Sequence, residues 1–423
     1  MDIIWLLAPM IALIFLRVPV AYAIGISAIG FSLIEGTNPA AVIQRSVASL
    51  DSFTLLAIPL FLLAAEIMSA AGLTRVLMDA VLSWVRSRRG GLAYANVGAS
   101  IVFAGISGSA VADAAGTGRL LVPQMIRNGY SARYAASVTA SSSLVSPILP
   151  PSIPLIVYGL VAQVSIGALF LAGILPALLM GAAVMLVVFL TTFRDHTLTR
   201  ERFSLPAAFN ATVKAFPILL LPILIIGGLR FGYFTPTEAA AIASGYALLC
   251  TLFYVRLPLH TLGAVIRRAA LTSASILIII AFAAHLGWIM SVRGIPKTIA
   301  EWLSSITTSP QLLLLIVLAF LVLIGTFMEA IAAILVTVPV LAPAATELGI
   351  DPVHFGIVVV MALMLGLLTP PVGLVLYVVG QAAGLDAMKV ARANAWFFLA
   401  LALVTLTVAL VPQISLWLPH LTQ

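Results

Sequence analysis

The chain has 423 residues, of which 62% are hydrophobic and only 8% are charged, whereas ordinary soluble domains carry roughly 25% charged residues. A soluble protein with so few charges could not cover its surface with polar groups, so the composition indicates a polytopic membrane protein. The net charge of +7 does not indicate a nucleic-acid binder, because the basic residues flank apolar segments instead of forming one patch, and a single cysteine excludes a disulfide-stapled secreted domain.

The first half of the chain alternates between apolar segments and short polar breaks. Its longer apolar segments cover 3–16, 20–34, 51–70, 132–159 and 166–192, with an amphipathic stretch at 74–88. No Asp, Glu, Lys or Arg occurs from Tyr134 to Phe193, a run of 60 residues, and one membrane crossing needs about 20 apolar residues. We expect the N-terminal segment to be a retained helix and not a cleaved signal peptide, because Asp2 precedes it and Arg17 follows it.

Two shorter apolar limbs, at 92–105 and 110–126, lie in the middle of this half. A limb of 14 residues rises about 21 Å as a helix, whereas the hydrocarbon core of a bilayer is about 30 Å thick. The pair therefore predicts a re-entrant helical hairpin over about 92–126, with its tip inside the membrane.

The second half has the same order of elements. Its segments cover 216–230, 236–255 and 271–292, then two limbs near 310–325 and 328–345, then 352–379 and 393–417. The two limbs predict a second hairpin over about 310–345.

Glycine and proline positions repeat between the halves. An ungapped shift of 220 residues aligns Gly105 with Gly325, Pro123 with Pro343, Gly129 with Gly349, Pro150 with Pro370 and Pro151 with Pro371. All five matches involve residues with special backbone behaviour. The repeat predicts two structural units, 1–205 and 206–423, joined by the polar stretch from Arg194 to Lys214.

Basic residues predict the orientation of the two units. If Arg86, Arg88 and Arg89 face the cytoplasm, 16 of the 21 Lys and Arg residues fall on that side and four fall outside, with Arg119 in a hairpin limb unassigned. Such an excess follows the positive-inside rule. We therefore expect both termini outside, an inverted second unit, and hairpins that enter the membrane from opposite faces.

Each unit also contains a proline break inside an apolar segment. Segment 132–159 is broken at 146–152 and segment 352–379 at 366–373, and both breaks contain a Pro-Pro pair. Proline lacks an N–H and clashes with the carbonyl four residues back, so the first pair frees the carbonyls of Ser146 and Pro147. Broken helices at corresponding positions of two repeats are the best sequence indication of a transport site. The fold class predicted is thus an all-α polytopic membrane protein, an inverted repeat with two hairpins and two broken helices.

The hairpin tips and the breaks supply two kinds of candidate ligand. Hydroxyls and free carbonyls suit a small cation, and half-helix N-termini suit an anionic substrate. The candidate cation ligands are Ser107, Gly108, Ser109, Ser143, Ser146, Pro147, Gly325, Thr326, Glu329, Gly366, Leu367 and Thr369. The candidate substrate residues are Pro150, Pro151, Ser152, Pro370, Pro371 and Gly373.

Carboxylates within apolar segments are costly and often functional. The four in this chain are Glu66, Asp113, Glu238 and Glu329. We expect Glu329 to act at the second tip, Asp113 to pair with a neighbour such as Arg119, and Glu238 to cap a helix. No zinc-protease, nucleophile-elbow or phosphate-loop motif occurs in the sequence, so we expect neither an enzyme nor an ATP-hydrolysing pump.

Several longer stretches carry a family resemblance. Residues 50–61, 89–93, 108–115, 150–154, 349–356 and 366–373 resemble the large membrane subunit of TRAP (tripartite ATP-independent periplasmic) transporters, the DctM-like or SiaM-like subunit. The resemblance runs from Arg17 to the C-terminus. Two positions depart from the family pattern: Glu329 stands where Asp is usual, and Ala362 replaces a frequent Asn.

The resemblance implies a large subunit of a sodium-coupled secondary transporter in the bacterial inner membrane, with an elevator motion. It also implies a small four-helix membrane subunit and a periplasmic binding protein that delivers a small organic acid such as sialic acid or a C4-dicarboxylate. It makes Na⁺ the cation expected at the candidate ligands. Two alternatives stay open: a self-sufficient sodium/carboxylate symporter of the same fold, and a channel or scaffold subunit.

Overall fold

The computed structural model describes residues 2–16, 18–193, 203–254, 258–307 and 309–421. Its regular secondary structure in these ranges is entirely helical. The predicted fold class, an all-α polytopic inverted repeat with two helical hairpins and two broken helices, is confirmed. The part of the predicted linker from Arg194 to Arg202 lies outside the described residues, and the boundary between the two units stays a prediction.

The described part of the first half contains ten α-helices. They are α1 (Asp2–Phe15), α2 (Val20–Ile34), α3 (Pro39–Ala48), α4 (Ala57–Ala70), α5 (Leu73–Val85), α6 (Gly91–Ser107), α7 (Ala110–Arg127), α8 (Ala132–Ser142), α9 (Ile153–Val161) and α10 (Ile166–Thr192). Short 3₁₀ turns at Phe53–Leu56 and Ser143–Val145 precede α4 and follow α8.

The second half contains eleven α-helices within its described ranges. They are α11 (Leu205–Arg230), α12 (Pro236–Tyr254), α13 (Leu259–Val292), α14 (Ile295–Ile306), α15 (Pro310–Gly325), α16 (Ala330–Glu347), α17 (Pro352–Gly366), α18 (Leu374–Ala383), α19 (Ala387–Ala393), α20 (Ala395–Leu410) and α21 (Gln413–His420).

Three segments depart most from their sequence-based bounds. The segments expected to begin at residues 216 and 271 extend back to Leu205 and Leu259, because the polar and basic residues before each apolar stretch are compatible with helix and end the apolar run without ending the helix. The segment 393–417 is divided into α20 and α21, which bend by 60° where Pro412 cannot donate a backbone hydrogen bond.

Five described helices are long and apolar enough to cross a membrane, or up to seven if each bent pair counts as one span. Limbs α6 and α15 have 17 and 16 residues and fall among the shorter helices.

The two halves pack crosswise. Limb α7 of the first hairpin (α6 and α7) packs against α18, which follows the break of the second half, and limb α16 of the second hairpin (α15 and α16) packs against α9, which follows the break of the first half. The Tyr158 hydroxyl on α9 donates to the Pro352 carbonyl at 2.7 Å, and the Ser141 hydroxyl on α8 donates to Asn394 Oδ1 at 2.7 Å. Both hairpins and both broken helices therefore belong to one packed body.

Candidate cation and substrate site

The first hairpin turns at Gly108 and Ser109. Gly108 ends α6 with a left-handed φ of +58°, and Ser109 begins α7, its hydroxyl accepting from the Ala112 N–H at 3.4 Å. The Ser107 hydroxyl lies 3.3 Å from the Ser109 carbonyl. Three candidate ligands therefore share one tight turn with small side chains.

This turn lies directly against the first break. A Cβ on Gly108 would lie 2.5 Å from the Pro151 carbonyl oxygen and 3.2 Å from the Ser152 Cα. Only glycine satisfies both the backbone angle and the spacing at this position. The structure thus brings the predicted cation ligands of the tip against the predicted substrate residues of the break.

The first break runs from Ser146 to Ser152. The Pro150–Pro151 peptide bond is cis. Ser152 is the N-cap of α9 and accepts from the Leu155 N–H at 3.2 Å, while its hydroxyl donates to the Pro147 carbonyl. That carbonyl, one of the two predicted to be freed by proline, is therefore held in place by a buried side chain.

The serines before the break differ in their bonding. Ser143 donates to the Ala140 carbonyl at 2.9 Å. The Ser146 hydroxyl is buried and has no hydrogen-bond partner among the described residues. A buried polar group without a partner is costly, and Ser146 is therefore the better ligand candidate of the two.

The second tip repeats this arrangement. Glu329 stands where the repeat shift places Ser109, and like Ser109 it is an N-cap: its carboxylate accepts from the Ile331 N–H at 2.9 Å at the start of α16. The Glu329 side chain is exposed. The Thr326 hydroxyl donates to the Leu323 carbonyl at 2.7 Å.

The second tip is bonded to the second break. The Gly373 N–H donates to the Thr326 carbonyl at 3.1 Å. Helices α15 and α17 also meet closely, since a Cβ on Gly325 would lie 2.7 Å from the Leu363 carbonyl and 3.1 Å from the Gly366 Cα.

The remaining candidates of this break surround Gly373, which begins α18 with a φ of +54°. A Cβ there would lie 3.0 Å from the Thr369 carbonyl and 3.2 Å from the Leu367 carbonyl, so both oxygens point toward one small space. The Pro370–Pro371 bond is cis. Ala362 is fully buried in α17 and contributes no polar side-chain atom.

Asp113 is a candidate ligand that the sequence pattern did not indicate. It lies in the first turn of α7, fully buried, and neither carboxylate oxygen has a hydrogen-bond partner in the described part of the chain. The expected pairing with Arg119 is wrong, because Arg119 is exposed. Six residues along a helix turn by about 240°, and this spacing would have excluded the pair from the sequence alone.

The acids elsewhere have structural partners. Glu66 forms an ion pair with Arg268 at 2.9 Å. Glu238 accepts from the N–H and the hydroxyl of Thr235, each at 2.8 Å, which confirms the predicted helix cap.

A row of polar side chains joins α6 to α8 beside the first hairpin. Asn96 donates to the Thr139 hydroxyl at 2.7 Å, and Ser100 donates to the Ser142 hydroxyl at 3.0 Å. All four are buried. Buried polar networks of this kind rigidify a site when they are satisfied.

The comparisons with known proteins agree on one family. The family model described as "Tripartite ATP-independent periplasmic transporter, DctM component" matches residues 7–414. The sialic acid TRAP transporter large permease protein SiaM of Vibrio cholerae is 38% identical over 97% of this chain and 97% of its own. The C4-dicarboxylate TRAP transporter large permease protein DctM of Pseudomonas aeruginosa is 37% identical over 88% of this chain and 87% of its own.

Two further matches bear on assembly and fold. The isethionate TRAP transporter permease protein DctMQ of Oleidesulfovibrio alaskensis is 38% identical over 86% of this chain, but the match covers only 58% of that longer protein. The solved structure of the YdaH transporter of Alcanivorax borkumensis aligns with a TM-score of 0.60 at 16% identity, covering 88% of this chain and 87% of the other. At that identity the likeness concerns the fold alone.

Proposed function

Because this chain belongs to the DctM component family of tripartite ATP-independent periplasmic transporters, we propose that it is the large membrane subunit of a sodium-coupled importer of a small organic acid. As a member of this family the chain is a multi-pass inner-membrane transporter subunit and not an enzyme. The finer proposal concerns its coupling ion, its substrate class, its motion and its partners.

One observation carries the proposal of ion coupling. In each half of the chain the hairpin tip packs against the proline break of the same half. Gly108 contacts Pro151 in the first half, and the Thr326 carbonyl accepts a hydrogen bond from the Gly373 N–H in the second. Non-helical backbone at membrane depth is tolerated only where protein or a water-filled cavity satisfies it. Two such places at matching positions provide two oxygen-rich sites of equivalent architecture.

For the first cation site we propose the tip oxygens of Ser107 to Ser109 together with Ser146 across the break. Asp113 joins this set as the negative charge nearest the tip in sequence, because a bound cation would compensate its buried, unpartnered carboxylate. Sodium, a hard cation, favours oxygen ligands of this type. The Pro147 carbonyl, fixed by Ser152, completes the candidate set.

For the second cation site we propose Thr326, Gly366, Leu367 and Thr369, with Glu329 at the tip. Glutamate reaches one methylene further than the aspartate usual in the family. Its carboxylate already caps α16, so we propose that Glu329 acts mainly by holding the tip and supplying charge.

We propose that the anionic substrate binds between the two breaks, where α9 and α18 begin at Ser152 and Gly373. Helix N-termini favour carboxylates. We also propose that the packed body of hairpins and broken helices moves as a unit in an elevator motion, because α7–α18 and α16–α9 contacts join both halves of the site.

Two partners complete the proposal: a small membrane subunit and a periplasmic binding protein. The relative DctMQ, which extends beyond this chain, supports an additional membrane component. Membership of the family does not identify the substrate, since relatives are named for sialic acid, C4-dicarboxylates and isethionate.

The test is uptake into proteoliposomes that contain this chain with its small subunit and binding protein. Labelled sialic acid, succinate and isethionate are offered with an inward gradient of sodium or of choline. We expect accumulation of one acid above its external concentration with sodium only. Equal uptake with choline would refute sodium coupling, and equilibration without accumulation would instead indicate a channel.

Omission of both partners separates the proposal from a self-sufficient symporter. Without its partners this chain should give no uptake, whereas a self-sufficient symporter would retain it.

Two variants test the role of Glu329. Glu329→Gln should weaken the sodium response, while Glu329→Asp, which restores the family's usual residue and keeps the charge, should preserve it.

A further inference from the structure

Helices α5 and α7 line an open cavity away from the hairpin tip. Its volume is about 520 Å³, within the range of small-molecule sites. The wall on α7 includes Arg119, Pro123 and Arg127, which recur every four residues and therefore share one helix face. The wall on α5 includes Arg75 and Asp79, also four residues apart.

The cavity carries an excess of positive charge. Three guanidinium groups and one carboxylate line it, a difference of two charges. All four side chains are exposed, and in the part of the chain that the structure describes none of the three arginines has an ion-pair partner. Arginine presents paired N–H donors that match the two oxygens of a carboxylate or phosphate.

Arg119 is the unusual member of this set. It lies nine residues after the first residue of α7, about 14 Å along the helix axis from the tip. A charge on a hairpin limb within the membrane is costly and is retained mainly where it lines a cavity or pathway. Arg127 lies at the far end of the same helix, so the two arginines line the space from within the predicted hairpin limb to the predicted cytoplasmic surface.

We propose that this cavity is an oxyanion-binding site, separate from the tip-and-break site, in which Arg75, Arg119 and Arg127 bind a carboxylate or phosphate group. Two molecules could supply such a group. One is the organic acid on its way to the cytoplasm, and that identification rests on the proposed function. The other is the headgroup of an anionic lipid, which is independent of the proposed function. The apolar side chains of Met78 on the α5 wall and Leu120 on the α7 wall suit the carbon skeleton of either ligand.

A thiol reporter measures the charge of this cavity without any transport step. Gln124 lines it, so Gln124→Cys is introduced into the full chain in which the single cysteine is replaced (Cys250→Ser). The chain is placed in phosphatidylcholine nanodiscs, and its reaction rates with an anionic and a cationic methanethiosulfonate reagent are compared.

The arginine variants set the expected result. Arg119→Gln with Arg127→Gln should lower the ratio of anionic to cationic reagent rates by about tenfold, as expected for two unit charges close to a partly solvated thiol. Arg119→Lys with Arg127→Lys should preserve the ratio. Arg267→Gln, an exposed arginine on α13 that does not line the cavity, is the matched control and should leave the ratio unchanged.

Protection then identifies the ligand. Inorganic phosphate or succinate, at constant ionic strength set with chloride, should slow the anionic reagent several-fold in the parent and not in the double glutamine variant. If only nanodiscs with phosphatidylglycerol give protection, the bound oxyanion is a lipid headgroup. An unchanged rate ratio in the double glutamine variant, or equal slowing by chloride, would overturn the site.

Two points keep the test independent. If the double variant does not fold, Arg75→Gln on the opposite wall should give a smaller decrease of the same sign, and no decrease there would also overturn the proposal. Because the reporter needs no sodium gradient and no partner subunit, loss of sodium-driven uptake would refute the proposed function and leave this site standing.

Discussion

Replacement of Gly108 by alanine tests whether contact between the first tip and the first break forms a cation site. The added Cβ would lie 2.5 Å from the Pro151 carbonyl oxygen. To reach 3.0 Å, below which real Cβ contacts essentially do not occur, the tip or the break must move by 0.5 Å or more. Displacements approaching 1 Å can cost about 100-fold where geometry is critical, so we expect sodium affinity to fall at least about tenfold, or about 1.4 kcal/mol.

The backbone effect of this substitution needs its own control. Alanine in a left-handed conformation costs about 1–2 kcal/mol wherever it occurs. Gly294 has a φ of +64° and no atom within 4 Å of the place that a Cβ would occupy, so Gly294→Ala carries the backbone cost without the displacement. Gly108→Ala should lose more free energy of unfolding than Gly294→Ala, because it adds the steric displacement to the shared backbone cost. Only Gly108→Ala should also change the response to sodium.

The assay is a sodium titration of the purified chain, with choline keeping the ionic strength constant. A cation that binds only the folded chain raises its stability by an amount set by the ratio of concentration to Kd. A fit of the melting temperature against sodium concentration therefore gives this Kd, the midpoint of sodium binding. Gly108→Ala should shift that midpoint upward by about tenfold while Gly294→Ala keeps the parent value. Coincident midpoints for Gly108→Ala and Gly294→Ala would refute the assignment of a cation to this tip.

Three further predictions use other features of the site and the topology. Ser152→Ala and Ser165→Ala each remove an N-cap and should each cost about 1 kcal/mol of stability. Only Ser152→Ala should also weaken sodium binding in the same titration, because only Ser152 donates to the Pro147 carbonyl. A midpoint equal to that of the parent would contradict this role of Ser152. Asp113→Asn replaces a buried carboxyl group whose oxygens have no hydrogen-bond partner among the described residues. The variant should be at least as stable as the parent in choline and should lose its stabilisation by sodium. A retained sodium response would place the cation elsewhere. Cysteines introduced at positions 88 and 297 should react with membrane-impermeant reagents from opposite faces of intact cells, as the positive-inside distribution predicts, and labelling from one face would exclude the inverted topology.

The sequence predicted the architecture well because its strongest signals are backbone signals. Prolines and glycines fix the local conformation whatever surrounds them, and the 220-residue shift aligns the N-caps Ser109 and Glu329 as well as the two breaks. Segment ends were predicted less well where a helix continues through polar or charged residues beyond its apolar run. Leu259 to Arg268 is polar at its start yet helical throughout, since apolar runs mark membrane depth and not helix ends.

The site residues were less accessible to this reasoning. A sequence shows which oxygens prolines free, but not which of them another side chain then binds, as Ser152 does with Pro147. It also shows the charge of Asp113, but not that both carboxylate oxygens are buried without a hydrogen-bond partner among the described residues. The first property depends on the backbone path of the break between α8 and α9, and the second on the packing around α7, and only the folded structure reveals either.

The crosswise packing of the halves has a consequence for biogenesis. A chain made from its N-terminus presents Tyr158 194 residues before its acceptor Pro352 exists, and Ser141 253 residues before Asn394. Limb α7 is likewise synthesised before α18, against which it packs, and α9 before α16. Until then the hydroxyl groups of Tyr158 and Ser141 lack the acceptors that they have in the folded chain, a costly state in a bilayer. The proposed substrate site, which includes both breaks, is therefore among the last parts of the molecule to be completed, and a nascent chain that stops before α16 lacks the second break and its half of that site.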